Sequence, residues 1–150
     1  MSLIPLPADP GTFEVTRFVD RDSSSLELHG SLVRLFVRYV IVVKDGHCST
    51  ESYAYRLQAD ESADSWLIRW EYQRDPRTGD YPYVRAHVHV RGAFPDGKQA
   101  GGLHIPTRRL PLELVLWHLI ADWGVKPKRD DWQQQLEASI DGFDGRRLAQ

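Results

Sequence analysis

Two histidines and two arginines alternate with small apolar residues over Tyr83-Val84-Arg85-Ala86-His87-Val88-His89-Val90-Arg91. Successive side chains of a β-strand point to opposite faces, so Val84, Ala86, Val88 and Val90 line one side. Tyr83, Arg85, His87, His89 and Arg91 share the other. Imidazoles exchange protons near neutrality and bind transition metals, while guanidiniums hold phosphate and carboxylate oxygens. Function often needs such a face; folding does not.

The same parity, applied along the chain, extends the set. Arg34 and Arg38 oppose Val33, Leu35, Val37, Tyr39 and Ile41. Arg69 and Glu71 oppose Trp66, Ile68, Trp70 and Tyr72, and His104 opposes Leu103 and Ile105. In a simple meander these residues gather on one surface, which is then basic although the formal net charge is −2.

Three readings of that face stay open. A solvated surface would pair its arginines with Glu51, Glu71 and the other acids. A nucleic-acid surface would set Arg34, Arg38, Arg69, Arg85 and Arg91 against phosphates. There His87, His89 and His104 would supply the base, the acid and, with Arg85 or Arg91, the cationic partner of metal-free RNA cleavage. A metal site is the third reading, because an H-x-H strand pair projects two ligands to one side and His104 adds another. Cupin-like barrels follow such a pair closely with a Glu, whereas here no acid comes after His89 until Asp96. Arg85 and Arg91 would also repel a cation. The sequence therefore favours RNA-directed chemistry with no metal and no cofactor, and it does not decide whether the protein is an enzyme.

The elements that must position these residues follow from period and turn signals. Residues 1–11, with three prolines, read as an extended lead-in. Strands are expected at Thr12–Asp20, Leu26–Val43, Ser49–Gln58, Trp66–Gln73, through the histidine segment, and at Leu103–Ile105, with loops at 22–25 and 74–82. At Lys44-Asp45-Gly46 a three-residue loop pairs Val43 with His47 and sets Arg56 beside Arg34; a two-residue turn would flip Tyr53 and Tyr55 onto the polar face. The three-residue loop is preferred because it keeps the tyrosines on the core side.

Near residue 110 the period becomes helical. Leu112, Val115, Leu116, Leu119, Ile120 and Trp123 form a stripe between Pro111 and a stop at Gly124. A second helix starts at Asp131, with Trp132, Leu136 and Ile140 on one side, and ends at Gly142 and Gly145. The expectation is one α+β domain over 1–150. It has an antiparallel meander of about five or six strands, one face covered by the first helix, and a frayed tail at 142–150.

Composition narrows the classes further. Arg outnumbers Lys fifteen to four, and Cys48 is the single cysteine, which excludes a disulfide framework and a thiolate zinc site. No apolar run reaches a membrane span, so a cytoplasmic protein without membrane contact is expected. Gly92–Gly102 lacks the phosphate-loop pattern, and Ser23-Ser24-Ser25 reads as a loop. Cys48 beside His47 is a weak candidate for a reactive pair. His118 reads as a packed or partner-facing histidine, and Trp117, off the main stripe, suggests a partner or a homodimer contact.

The order Ile68-Arg69-Trp70-Glu71-Tyr72, Ala86-His87-Val88-His89-Val90, Leu103-His104-Ile105-Pro106 and the Leu-Glu helix from Leu112 to Leu116 is similar to a group of uncharacterised actinobacterial proteins. It resembles, more distantly, the small TumE-type toxins of bacterial toxin–antitoxin modules. The resemblance spans roughly residues 52–124 and implies a bacterial protein acting on RNA or translation, restrained by a small antitoxin. This chain is longer, adds a second helix after Gly124 and spaces its histidines differently.

Overall fold

A computed structural model describes residues 2–5, 12–16, 25–75, 85–97 and 99–148. Its strands are β1 (Ser2–Pro5), β2 (Thr12–Thr16), β3 (Ser25–Glu27), β4 (Arg34–Lys44), β5 (His47–Gln58), β6 (Trp66–Gln73), β7 (Ala86–Val90) and β8 (Ile105–Pro106). Two helices follow, α1 (Leu112–Trp123) and α2 (Trp132–Leu148). All strand pairings are antiparallel, in the order β1-β2-β4-β5-β6-β7-β8, with β3 also alongside β4. Six strands have four or more residues and two are short stubs. This is the α+β meander with two C-terminal helices that the sequence predicts.

Chain contacts divide the protein into a sheet unit, Met1–Glu27 with Val33–Arg109, and a helical unit, Leu28–Leu32 with Leu110–Gln150. In the sheet unit, Leu35, Tyr55 and Leu57 are essentially inaccessible, and Tyr53 and Trp70 nearly so. They share one face because Leu35 pairs with Leu57, Val37 with Tyr55, Tyr39 with Tyr53, and Tyr55 in turn with Trp70. Tyr53 stacks on both Tyr55 and Tyr72, with ring centroids 4.5 and 5.4 Å away, and the Tyr39 and Tyr55 hydroxyls hydrogen-bond. Burying one such side chain contributes about 1.5–3 kcal/mol, so this face holds the sheet unit together.

The β4–β5 hairpin corrects the preferred loop. Lys44 pairs with His47 across a two-residue Asp45-Gly46 turn with both φ angles positive, 51° and 76°. That turn matches the right-handed twist of its strands, which is why it prevails. It puts the first pairs one residue out of phase, and a bulge then restores the phase: Ile41 pairs with Thr50 but Val40 with Ser52, leaving Glu51 extra. Tyr53 and Tyr55 thereby keep the core face, as expected, and Arg56 lies opposite Phe36 rather than Arg34.

Other boundaries also moved. The lead-in contains β1, paired with β2, and the span expected as one strand from Leu26 breaks at a turn where Gly30 has φ 77°. A second bulge, between Leu57 and Gln58, pairs Gln58 with Trp66 and moves that tryptophan off the apolar face assigned to it. Residues 17–24 and 76–84, which include parts of the expected first strand, both predicted loops and the start of the histidine segment, lie outside the described residues.

In the helical unit, α1 begins after Pro111 and ends at Gly124 in the left-handed conformation, with Val115 and Leu119 buried. The Trp117 ring packs 5.2 Å from Trp132 of α2. His118 Nδ1 pairs with Asp122, and Trp123 Nε1–H donates to His118 Nε2 at 3.4 Å, so this histidine is packed within its helix. Helix α2 continues through Gly142 and Gly145 to Leu148, because a glycine costs a helix only about 1 kcal/mol and does not by itself stop it. No described helix is long and apolar enough to cross a membrane.

Candidate metal centre

The register builds two transverse rows on the polar face. One runs Phe36, Arg56, Arg69, His89; the next runs Arg38, Ala54, Glu71, His87, Pro106. Extending the β7–β8 register by one residue sets His104 opposite His89. The three imidazoles converge, with ring centroids 4.9 Å (His87–His89), 4.8 Å (His87–His104) and 4.5 Å (His89–His104) apart.

His89 is buried and His104 exposed. The His89 Nδ1 lies 3.1 Å from the Gly101 carbonyl, which can only accept, so Nδ1 carries the proton. Burial first, and the Arg69 charge second, hold the His89 pKa below the ordinary histidine value, against opposing contributions from Glu71 and the Gly101 bond. The shift favours the neutral ring, in which Nε2 presents a lone pair. That lone pair faces Glu71 Oε2 at 3.6 Å, while His87 Nε2 faces the same oxygen at 3.4 Å.

The glycine-rich connection makes this possible. A Cβ on Gly101 would come within 3.0 Å of the Trp66 ring, so only glycine brings that carbonyl to His89 without displacing the tryptophan. The turn Ala100–Gly102 is fixed by Ala100 N–H on the Gly92 carbonyl, 2.8 Å, and Leu103 N–H on the Ala100 carbonyl, 2.9 Å.

Of the five arginines named from the sequence, Arg69 joins the cluster. Its guanidinium lies over the Trp66 ring at 4.7 Å and its Nε is 3.4 Å from Glu71 Oε1. Arg38 is exposed on the same face, across a cleft of about 310 Å³ that Ser52, Ala54, Glu71, Gln73 and His87 also line. Arg34 shares the face but is tied to Ser25 Oγ, 3.0 Å, and Glu27, 2.9 Å. Arg85 and Arg91 are exposed at the two ends of β7, and Arg91 donates to the Asp64 carbonyl at 2.6 Å. His47 and Cys48, adjacent on β5, project to opposite faces.

Sequence reasoning leaves Glu71 out of the candidate set, counting it only as a partner for arginines. The signal that could have found it was its parity with Arg69 on the strand beside His87. No acid follows His89 closely along the chain; the acid comes from across the sheet.

Nitrogens of His87, His89 and His104 lie within 4.8 Å of one another. Zn–N bonds of about 2.0–2.1 Å put tetrahedral ligands about 3.3 Å apart, so the three nitrogens would have to draw somewhat closer to hold one ion. An Nδ1–H···O=C bond that leaves Nε2 free is the usual outer support of a ligating histidine. The chain matches no protein-family model, no curated protein and no solved structure.

Proposed function

We propose that His87, His89 and His104, with Glu71, bind one divalent transition-metal ion, and that the protein is a metal-dependent enzyme working at the polar face of its sheet. One observation carries this reading: nitrogens of three imidazoles lie within 4.8 Å of one another, and one carboxylate oxygen of Glu71 lies 3.4 Å from His87 Nε2 and 3.6 Å from His89 Nε2. Imidazole lone pairs and a carboxylate gathered so closely are the donor set that a cation satisfies together. The two objections from the sequence lose their force. β6 supplies the acid, and Arg85 and Arg91 stand at the ends of the histidine strand. Imidazole nitrogens with one carboxylate suit zinc, iron, copper or nickel rather than magnesium or calcium. Such an ion polarises a bound oxygen or lowers the pKa of a bound water to about 7. The Gly101 carbonyl orients His89, Arg69 neutralises the outer oxygen of Glu71, and the cleft beside His87 admits a small polar substrate.

Cobalt(II) binding tests this. The wild-type protein should take one equivalent with a visible d–d spectrum, and His87→Ala, His89→Ala and His104→Ala should each weaken it at least tenfold. Equal binding by all three variants would remove the site.

A second reading, the metal-free RNA-cleaving toxin restrained by an antitoxin, is favoured by the exposed His104 beside half-buried His87, with Arg69 next to His89 in the same row. Cleavage of RNA that persists after chelation and disappears in His104→Ala would support it over the metal enzyme.

A further inference from the structure

Arg56 and Arg69 are direct cross-strand partners, half-buried on the polar face. Like charges set opposite each other on a sheet are destabilising, so the pair needs a compensating reason. Each guanidinium lies over an aromatic ring, Arg56 over Phe36 at 4.0 Å and Arg69 over Trp66 at 4.7 Å. A guanidinium held over a ring keeps N–H groups at its edge to donate. The Nε of each is buried with no hydrogen-bond partner. Buried donors are nearly always satisfied, so two orphans on adjacent arginines mark a place where acceptor oxygens belong. Among the described residues Glu71 is the acid seen to act on them; its Oε1 makes an ion pair with Arg69 Nε at 3.4 Å without hydrogen-bond geometry, and its Oε2 turns to the histidines. Burial, then the Arg69 charge, depresses the Arg56 pKa, which an anion would reverse.

We propose that Arg56 and Arg69 form an oxyanion subsite that holds the phosphoryl group of a substrate beside the metal position. Two guanidiniums match the double charge of a phosphate and offer paired N–H donors to its oxygens. Arg69 neighbours His89 in the same transverse row, so an anion bridging the arginines sits within about two strand spacings, roughly 10 Å, of the histidines. The substrate is then a small phosphorylated molecule whose other end reaches the ion. That assignment rests on the metal reading, whereas the anion site rests on the arginines and rings alone.

Inorganic phosphate is the probe. Calorimetric titration is run on the full chain, metal-free after the chelator has been removed by gel filtration and again loaded with cobalt(II), with acetate as the carboxylate arm. Saturable phosphate binding is expected in both forms, at least tenfold tighter than acetate. Arg56→Met and Arg69→Met should each weaken it at least tenfold. Without phosphate, Arg56→Met should melt no lower than wild type, since it removes a repulsion and an orphan donor; with phosphate, its Tm should no longer rise. A lower phosphate-free Tm with unchanged phosphate affinity would make Arg56 structural and overturn the proposal. Absence of saturable binding to the wild type would overturn it as well. Acetate binding tighter than phosphate would overturn the phosphoryl assignment. Phosphate binding without cobalt binding would remove the metal reading and keep the subsite; the reverse would remove the subsite alone.

Discussion

Glu71 Oε2 and His89 Nε2 lie 3.6 Å apart, and two separate contacts set how they meet. The Gly101 carbonyl fixes the imidazole proton on Nδ1, and Arg69 holds the far oxygen of Glu71. Neither constraint is visible in a strand pattern. Parity puts His87 and His89 on one face with Arg85 and Arg91, and that much was legible; convergence with His104 depended on a β7–β8 register that no local signal announces. Gly101 shows how far the support extends. Gly101→Ala would drive a methyl against Trp66, moving the carbonyl that orients His89. Loss of an outer support of this kind typically costs about 10–100-fold in metal affinity. We expect a drop in that range with a shifted tryptophan emission spectrum, measured by cobalt(II) titration and fluorescence. Unchanged affinity would mean that the Gly101 carbonyl does not orient His89.

Among the elements, the β4–β5 hairpin teaches how a sequence can predict the right face through the wrong turn. Asp45-Gly46 chose the two-residue turn and the bulge at Glu51 cancelled its phase. The alternation of Tyr53, Tyr55 and Leu57 forecast the face, because burying those rings outweighs a one-residue irregularity. Bulges have no such signature, and the one opposite Gln58 moved Trp66 against all expectation. Gly46 has open space where a Cβ would stand, so Gly46→Ala meets no clash and is strained only by its φ of 76°. The expected loss is about 1–2 kcal/mol by chemical denaturation. A change below about 0.3 kcal/mol would argue against that turn.

The start of α2 makes a separate prediction. Arg129 grips both oxygens of Asp131 at 2.8 Å, and Gln135 reaches one of them. The Arg129 hydrogen bonds, the largest cause, bring the Asp131 pKa down to about 2 from an ordinary 3.8. A depressed carboxyl pKa stabilises the folded form above the unfolded value, and that contribution disappears as pH falls through about 2. NMR titration should find Asp131 near 2 in the wild type and back toward the ordinary value in Arg129→Ala. An unmoved titration would mean that the pair does not form in solution.

For the whole molecule, the sheet divides its labour by face: tyrosines, leucines and Trp70 on one, and on the other an imidazole cluster, a carboxylate and a row of arginines. Sequence period alone forecast this division and the switch to helices near residue 110. It did not pair the histidines with Glu71, which lies eighteen residues before His89 and is joined to the cluster only by strand pairing. The most direct test is elemental analysis of the full chain purified without an affinity tag, beside His89→Ala. About one equivalent of zinc, iron, copper or nickel in the wild type, and less than a tenth in the variant, is the predicted result. Wild-type protein with less than a tenth of an equivalent, and none taken up on dialysis against these ions, would contradict the account.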